Sequence, residues 1–155
     1  MSLDTETKRY VCVFRLGEAS LCVAIDQVQQ VVEHLPVLPV PLAPPVIRGL
    51  INLRGTVVTA LDGGLVFDLG ENNERDTHLV VLAGGQPLSL LVDDVIEVTA
   101  FSMEMLSPPP PNLSPSARRL VRGVICQDEN LIMFVDVDRV AERISSHSSS
   151  ALSAA

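Results

Sequence analysis

Cys12, Cys22, Cys126, His34, His78 and His147 are the side chains with the chemistry for nucleophilic attack, soft-metal ligation or proton transfer near neutral pH. A zinc site needs such residues at short, regular spacings. None of the histidines has a second histidine or a cysteine at ligand spacing, and His147 sits in the serine-rich run SSHSSS. A phosphate cradle would need the glycines of LAGGQP to open a helix carrying a lysine, and neither follows them. Asp93 and Asp94 form an adjacent carboxylate pair, but neighbours on a strand point to opposite faces, so they read as solvated charge rather than as converging acid and base. No GxSxG stretch is present. The residues therefore argue for a protein that binds rather than reacts, with no metal and no cofactor. A rival of another class is a small β-barrel ligand-binding module or enzyme whose pocket is hidden in apolar sequence.

The elements that must position these residues come in two copies. VCVFRLGEASLCVAIDQVQQVV, from Val11, lies without a gap on HLVVLAGGQPLSLLVDDVIEVT, from His78. Val13 then falls on Val80, Gly17 on Gly84, Asp26 on Asp93 and Val31 on Val98. VIRGLINLRGTVVTALD, from Val46, likewise lies on LVRGVICQDENLIMFVD, from Leu120, so that Arg48 meets Arg122, Gly49 meets Gly123 and Asp62 meets Asp136. Self-similarity of this kind marks repeated supersecondary units. The units span about residues 11–66 and 78–140.

Each copy reads as apolar β-runs punctuated by turn residues: Gly17, Gly84-Gly85, Asn52 to Gly55 and Asp128 to Asn130. DQVQQVVE and DVDRVAERI predict short helices, with Asp26 and Asp136 as N-caps. Glycine inside a strand pattern predicts a bulge or a close backbone approach at Gly49 and Gly123. The fold class expected is mainly all-β: two five-stranded barrels, one per repeat, packed together with short helices. Most of the eleven prolines fall in LPVLPVPLAPPV and SPPPPNLSPS, which read as rigid connectors between the hairpins of each copy.

Composition removes several function classes. A net charge of −8, from 19 acidic and 11 basic residues, disfavours nucleic acid and anionic membrane as partners. The apolar runs are too short to span a bilayer, so no membrane insertion is expected. The start MSLDTETKRY, with Asp4 and Glu6 and no apolar core, lacks the look of a signal peptide, and three cysteines within apolar runs suit buried hydrophobes in a reducing, cytoplasmic compartment. Residues 1–9 and the tail 145–155 are expected to be disordered on composition.

VIRGLINLRGTVV, preceded by a hairpin, the stretch DQVQQV and a proline-rich crossover, resembles the CheW-like family of coupling proteins in bacterial chemosensory arrays. LLVDDVIEV and LVRGVICQDENLIMFVDVDRV resemble that family's later segments, and the similarity covers residues 10–144 as a single domain. The resemblance implies two SH3-like barrels with no catalytic activity. It also implies an adaptor that couples the cytoplasmic tips of chemoreceptors, the methyl-accepting chemotaxis proteins, to the regulatory domain of a CheA-type histidine kinase. By position it implies receptor-facing roles for Val28, Gln29, Gln30, Gly49, Arg54, Val95 and Val98, and a kinase-facing role for Pro111 and Asn112. Thr59 and Gly63 depart from the family's usual Pro and Leu, and the kinase-side loop reads PPPPN. These departures leave a non-flagellar pathway, twitching or developmental, as an alternative setting.

Overall fold

The computed structural model describes residues 8–154, with side chains through Ser145. Eleven strands run in the order β1 Lys8–Leu16, β2 Ala19–Ala24, β3 Val28–Glu33, β4 Ile47–Leu53, β5 Thr56–Asp62, β6 Thr77–Ala83, β7 Gln86–Val92, β8 Asp94–Ser102, β9 Leu106–Ser107, β10 Val121–Gln127 and β11 Asn130–Val135. Among the described residues, three α-helices, α1 Gly63–Val66, α2 Pro115–Leu120 and α3 Val137–Ala154, accompany the strands together with short 3-10 turns.

Tight turns form where the sequence supplies residues that tolerate positive φ. Leu16 pairs with Ala19 around Gly17 (φ 62°), and Ala83 pairs with Gln86 around Gly84 and Gly85 (φ 58° and 80°). Between β2 and β3, and between β7 and β8, no residue takes a positive φ, and the chain does not fold back. Those two junctions carry it from one sheet to the other.

Sheet A accordingly has the order β8-β1-β2-β11-β10-β9, and sheet B the order β3-β6-β7-β5-β4. The expectation of one barrel per repeat is therefore corrected: β1 and β2 of the first copy join β8 to β11 of the second, while β6 and β7 of the second join β3 to β5 of the first. The repeat itself is exact in its pairing. Parallel β11–β2 (Phe134 opposite Cys22) matches parallel β5–β7 (Ala60 opposite Ser89). Sheet B has the five strands expected, and sheet A adds a sixth, the two-residue β9, opposite Val124 and Ile125. Its counterpart in sheet B is a single bridge between Leu38 and Leu50. Both additions come from the proline-rich connectors, whose prolines lack the N–H needed for a longer ladder.

Alternation along the strands feeds three cores. Cys12, Phe14, Leu16, Leu79, Val81 and Leu90 point into a core shared by the two sheets. Val11, Val13, Cys22, Phe101, Ile125 and Phe134 fill the other face of sheet A, and Ile51, Val58, Ala60 and Leu91 fill that of sheet B. A strand buried on both faces reads as a continuous apolar run, which is why VCVFRL and LVVLA look as they do.

Three further expectations change. DQVQQVVE makes only a 3-10 turn at Ile25–Gln27 before β3, because Val28 to Glu33 alternate between half-buried and exposed and pair with β6, a period of two that β-branched valines favour. Lys8 and Arg9 are not disordered: they already run in β1, opposite Ser102 and Phe101, while residues 1–7 of that stretch lie outside the described residues. The tail expected to be disordered from Ser145 continues α3 as far as Ala154, since adding residues to a formed helix costs far less than starting one. Ala155 lies outside the described residues. No helix among the described residues is long and apolar enough to cross a membrane.

Candidate partner-binding surface

The two RG-to-Asp segments build the same polar contact twice. Arg48 of β4 pairs with Asp62 at the end of β5, and Arg122 of β10 pairs with Asp136, just beyond β11, at 3.2 Å. Each aspartate also caps the helix that follows: Asp62 accepts from Leu65 N at 3.2 Å, and Asp136 from Asp138 N at 3.1 Å and Arg139 N at 3.3 Å. Arg122 additionally lies over the Phe134 ring, 5.7 Å from its centroid.

The glycine between each arginine and the next strand residues sits at a bulge and admits a neighbouring backbone. A Cβ on Gly49 would stand 2.3 Å from the Leu38 carbonyl oxygen, and one on Gly123 would stand 2.4 Å from that of Ser107. Gly49 also holds φ +153°. Both glycines thus dock their proline-rich connector against β4 or β10, as a close approach requires.

Arg54 occupies the β4–β5 turn, where Leu53 pairs with Thr56, Gly55 N donates to Asn52 Oδ1 at 2.8 Å, and Arg54 itself has φ 53°. Its side chain is exposed. Beyond the turn, Thr56, Val57 and Thr59 line a groove of about 840 Å³, walled opposite by Ala141 and Ile144 of α3. The repeat-mates of those β5 residues, Asn130, Leu131 and Met133, line a second groove of about 460 Å³, whose wall includes Pro110, Asn112 and Leu113. Pro111 is exposed, and its carbonyl accepts from Arg118 Nη2 at 2.7 Å.

Val28 and Val95 are repeat-mates, and both pack half-buried on the shared core. Gln29 and Val98 are exposed and Gln30 is half-buried. β3 lies at one edge of sheet B, while β4, which carries Gly49 and ends at the Arg54 turn, lies at the other; Val95 and Val98 are on the edge strand β8 of sheet A. The candidate receptor residues therefore span both sheets rather than one hairpin. Val31 and Ile96, 44% and 48% exposed, are further exposed apolar residues on the same two edge strands. Their signal was legible in outline, because β-branched residues on both phases of a strand leave one phase facing solvent.

The sequence reading missed Arg75 altogether and misread Asp93. Arg75 Nη1 donates to Asp62 Oδ1 at 3.1 Å and Nε donates to Asp93 Oδ1 at 3.2 Å, so Asp93, half-buried, is ion-paired to a buried arginine rather than left as a solvated charge. In NNERDT the arginine looks like loop polarity, and only the fold brings it inside. Cys12 and Cys22 are buried, as expected, but Cys126 is exposed. Burial raises the Cys12 thiol, and burial followed by the nearby Cys12 pushes Cys22 up to about 12, so neither supplies a thiolate. His78 is fully buried, with Nδ1 2.7 Å from Ser89 Oγ; His34 pairs with Asp76 at the surface.

Comparison with known proteins decides the family. The family described as CheW-like domain matches residues 10–145. The chain belongs to the CheW-like family. It is 30% identical over 138 residues to the chemotaxis protein CheW of Rhizobium meliloti, covering 88% of this chain and 89% of that one. To the chemotaxis protein CheW of Thermotoga maritima it is 24% identical over 135 residues, 86% of this chain and 88% of the relative. Among solved structures, the scaffolding protein TtCheW from Thermoanaerobacter tengcongensis superposes with a TM-score of 0.76 at 27% identity, covering 85% of this chain and 91% of that one. This CheW-like chain is a non-catalytic coupling adaptor of chemotaxis signal transduction, and the ligand-module, enzyme and non-flagellar alternatives are not favoured by its relatives.

Proposed function

We propose that this adaptor joins the cytoplasmic tip of a chemoreceptor to the regulatory domain of a CheA-type histidine kinase, working in the cytoplasm at membrane-bound receptor arrays. A receptor tip is a helical hairpin, and helices dock by placing apolar anchors on a complementary surface with polar groups at its rim. Val28, Val95 and Val98 supply the apolar part, Gln29 and Gln30 the polar flank, and Arg54 the rim on the opposite edge of sheet B, on the strand pair that the buried Gly49 seats against its connector. Pro111 and Asn112 carry the kinase-side contact, beside the groove on sheet A.

The observation that carries this reading is Arg54. An exposed arginine held at φ 53° occupies a backbone region that glycine or asparagine would adopt at lower cost. A local cost retained at a surface turn points to use of the side chain. The test is titration calorimetry of the purified protein against a receptor-tip fragment and, separately, against a kinase regulatory domain. Saturable binding to both supports the reading, and binding to neither overturns it.

A further inference from the structure

A line of charged contacts crosses from sheet B to sheet A through Arg75. Its guanidinium, 3% exposed, donates to Asp62 at the end of β5, to the Gly70 carbonyl at 3.0 Å, and to Asp93. Asp93 stands alone between β7 and β8, at the point where the chain leaves sheet B for sheet A. Its other carboxylate oxygen accepts from Gly17 N in the β1–β2 turn of sheet A, and its own N–H donates to the Arg15 carbonyl at 3.0 Å. With Arg48 on Asp62, the path runs from β4 to the first hairpin of the other sheet.

The site is shaped for the arginine. A Cβ on Gly64 would lie 2.4 Å from Arg75 Nη1 and 1.8 Å from the Gly70 oxygen, so only glycine leaves room for the guanidinium there. The second crossing, from β2 to β3, has no equivalent. There Asp26, the repeat-mate of Asp93, is exposed, and the tie is Gln27 Nε2 donating to Asp138 Oδ1 at 3.2 Å. One junction of a repeated architecture thus carries a charge network centred on the buried Arg75 and Asp62, and the other a half-buried amide. Buried charges are expensive unless fully paired, and their hydrogen bonds hold only over a narrow range of distance, whereas apolar contacts in the shared core survive small slides. A network of this kind specifies orientation more than it adds stability.

We propose that Arg75 is a positioning residue for partner docking: through Asp62 and Asp93 it sets the angle between the two sheets, and with it the placement of Val95 and Val98 relative to Val28 and Arg54. The docking part of this inference rests on the receptor reading above; the orientation part does not.

The experiment uses the full chain with Cys126→Ser and two spin labels, at Glu18→Cys in the β1–β2 turn of sheet A and at Gln86→Cys in β7 of sheet B, both exposed positions. Electron–electron double resonance distances are compared for the parent, Arg75→Met and Asp93→Asn, the last a near-isosteric change that keeps the fold if Arg75→Met does not. Both variants are expected to broaden or shift the distance distribution while the far-ultraviolet spectrum stays that of a folded protein. Each should weaken receptor-tip binding about tenfold, the loss that follows when the competent orientation falls to about a tenth of the population. An unchanged distribution in every folded variant overturns the inference. So does a changed distribution with undiminished receptor affinity. If the parent itself fails to bind the receptor tip, the receptor reading falls and the docking part with it, while the distances still decide whether Arg75 orients the sheets.

Discussion

Gly49 lies directly against the carbonyl of Leu38, with a Cβ-to-oxygen separation of 2.3 Å for any residue that carried one. That closeness lets Leu38 N and O both bond Leu50 at 2.8 Å, and so fastens the proline-rich connector to the edge of sheet B. The same approach recurs at Gly123 against Ser107.

Gly49→Ala and Gly123→Ala should each destabilise the fold by ~1–3 kcal/mol through overpacking, with Gly49→Ala the worse because its φ of +153° adds strain. Urea unfolding monitored by circular dichroism measures both. At a temperature where both remain folded, Gly49→Ala should also weaken receptor-tip binding and Gly123→Ala should not. Equal loss in the two would remove the receptor surface from the β4–β5 hairpin.

Arg54 separates function from stability. Arg54→Gly relieves a left-handed backbone that costs an ordinary residue about 1 kcal/mol, partly offset by the greater freedom of glycine in the unfolded chain. Its melting temperature should match or slightly exceed that of the parent, while receptor-tip binding weakens by about 1–2 kcal/mol, as for an interfacial arginine. A fall in melting temperature with intact binding would make the side chain structural.

His78 makes stability depend on pH. Burial lowers its pKa below the ordinary 6.5, opposed by the Leu35 backbone carbonyl and by Asp76. Below pH 6.5 the unfolded chain takes up the proton and the folded chain does not until a lower pH. The unfolded state binds more protons across that window, so stability is fully present above it and is lost as pH falls through it. His78→Val, which copies its repeat-mate Val11, should flatten the dependence between pH 7 and pH 5 in denaturant titrations. A slope unchanged by that substitution would assign it to another group.

Thiol reactivity should divide the cysteines. Under native conditions a disulfide reagent should modify Cys126 quickly, leaving Cys12 and Cys22 to react only as the protein unfolds. Mass spectrometry of the modified protein checks this. Rapid native labelling of Cys22 would contradict its burial.

The sequence by itself determined the hairpins and their duplication. Gly17 and Gly84 announced the tight hairpins because few other residues take positive φ cheaply, and the Arg-Gly to Asp spacing announced two equivalent segments. The apolar runs announced strands buried on both faces, and the family motif announced an adaptor. Tertiary structure alone decided which strands share a sheet. The residues between β2 and β3, and the single Asp93 between β7 and β8, look like ordinary linkers, and whether a linker turns back or crosses over depends on the packing at its far end. It also decided what the charges do. Arg75 and Asp93 carry no local mark of their pairing, since it joins a loop before β6 to the junction after β7 and becomes favourable only once the fold has closed over the arginine.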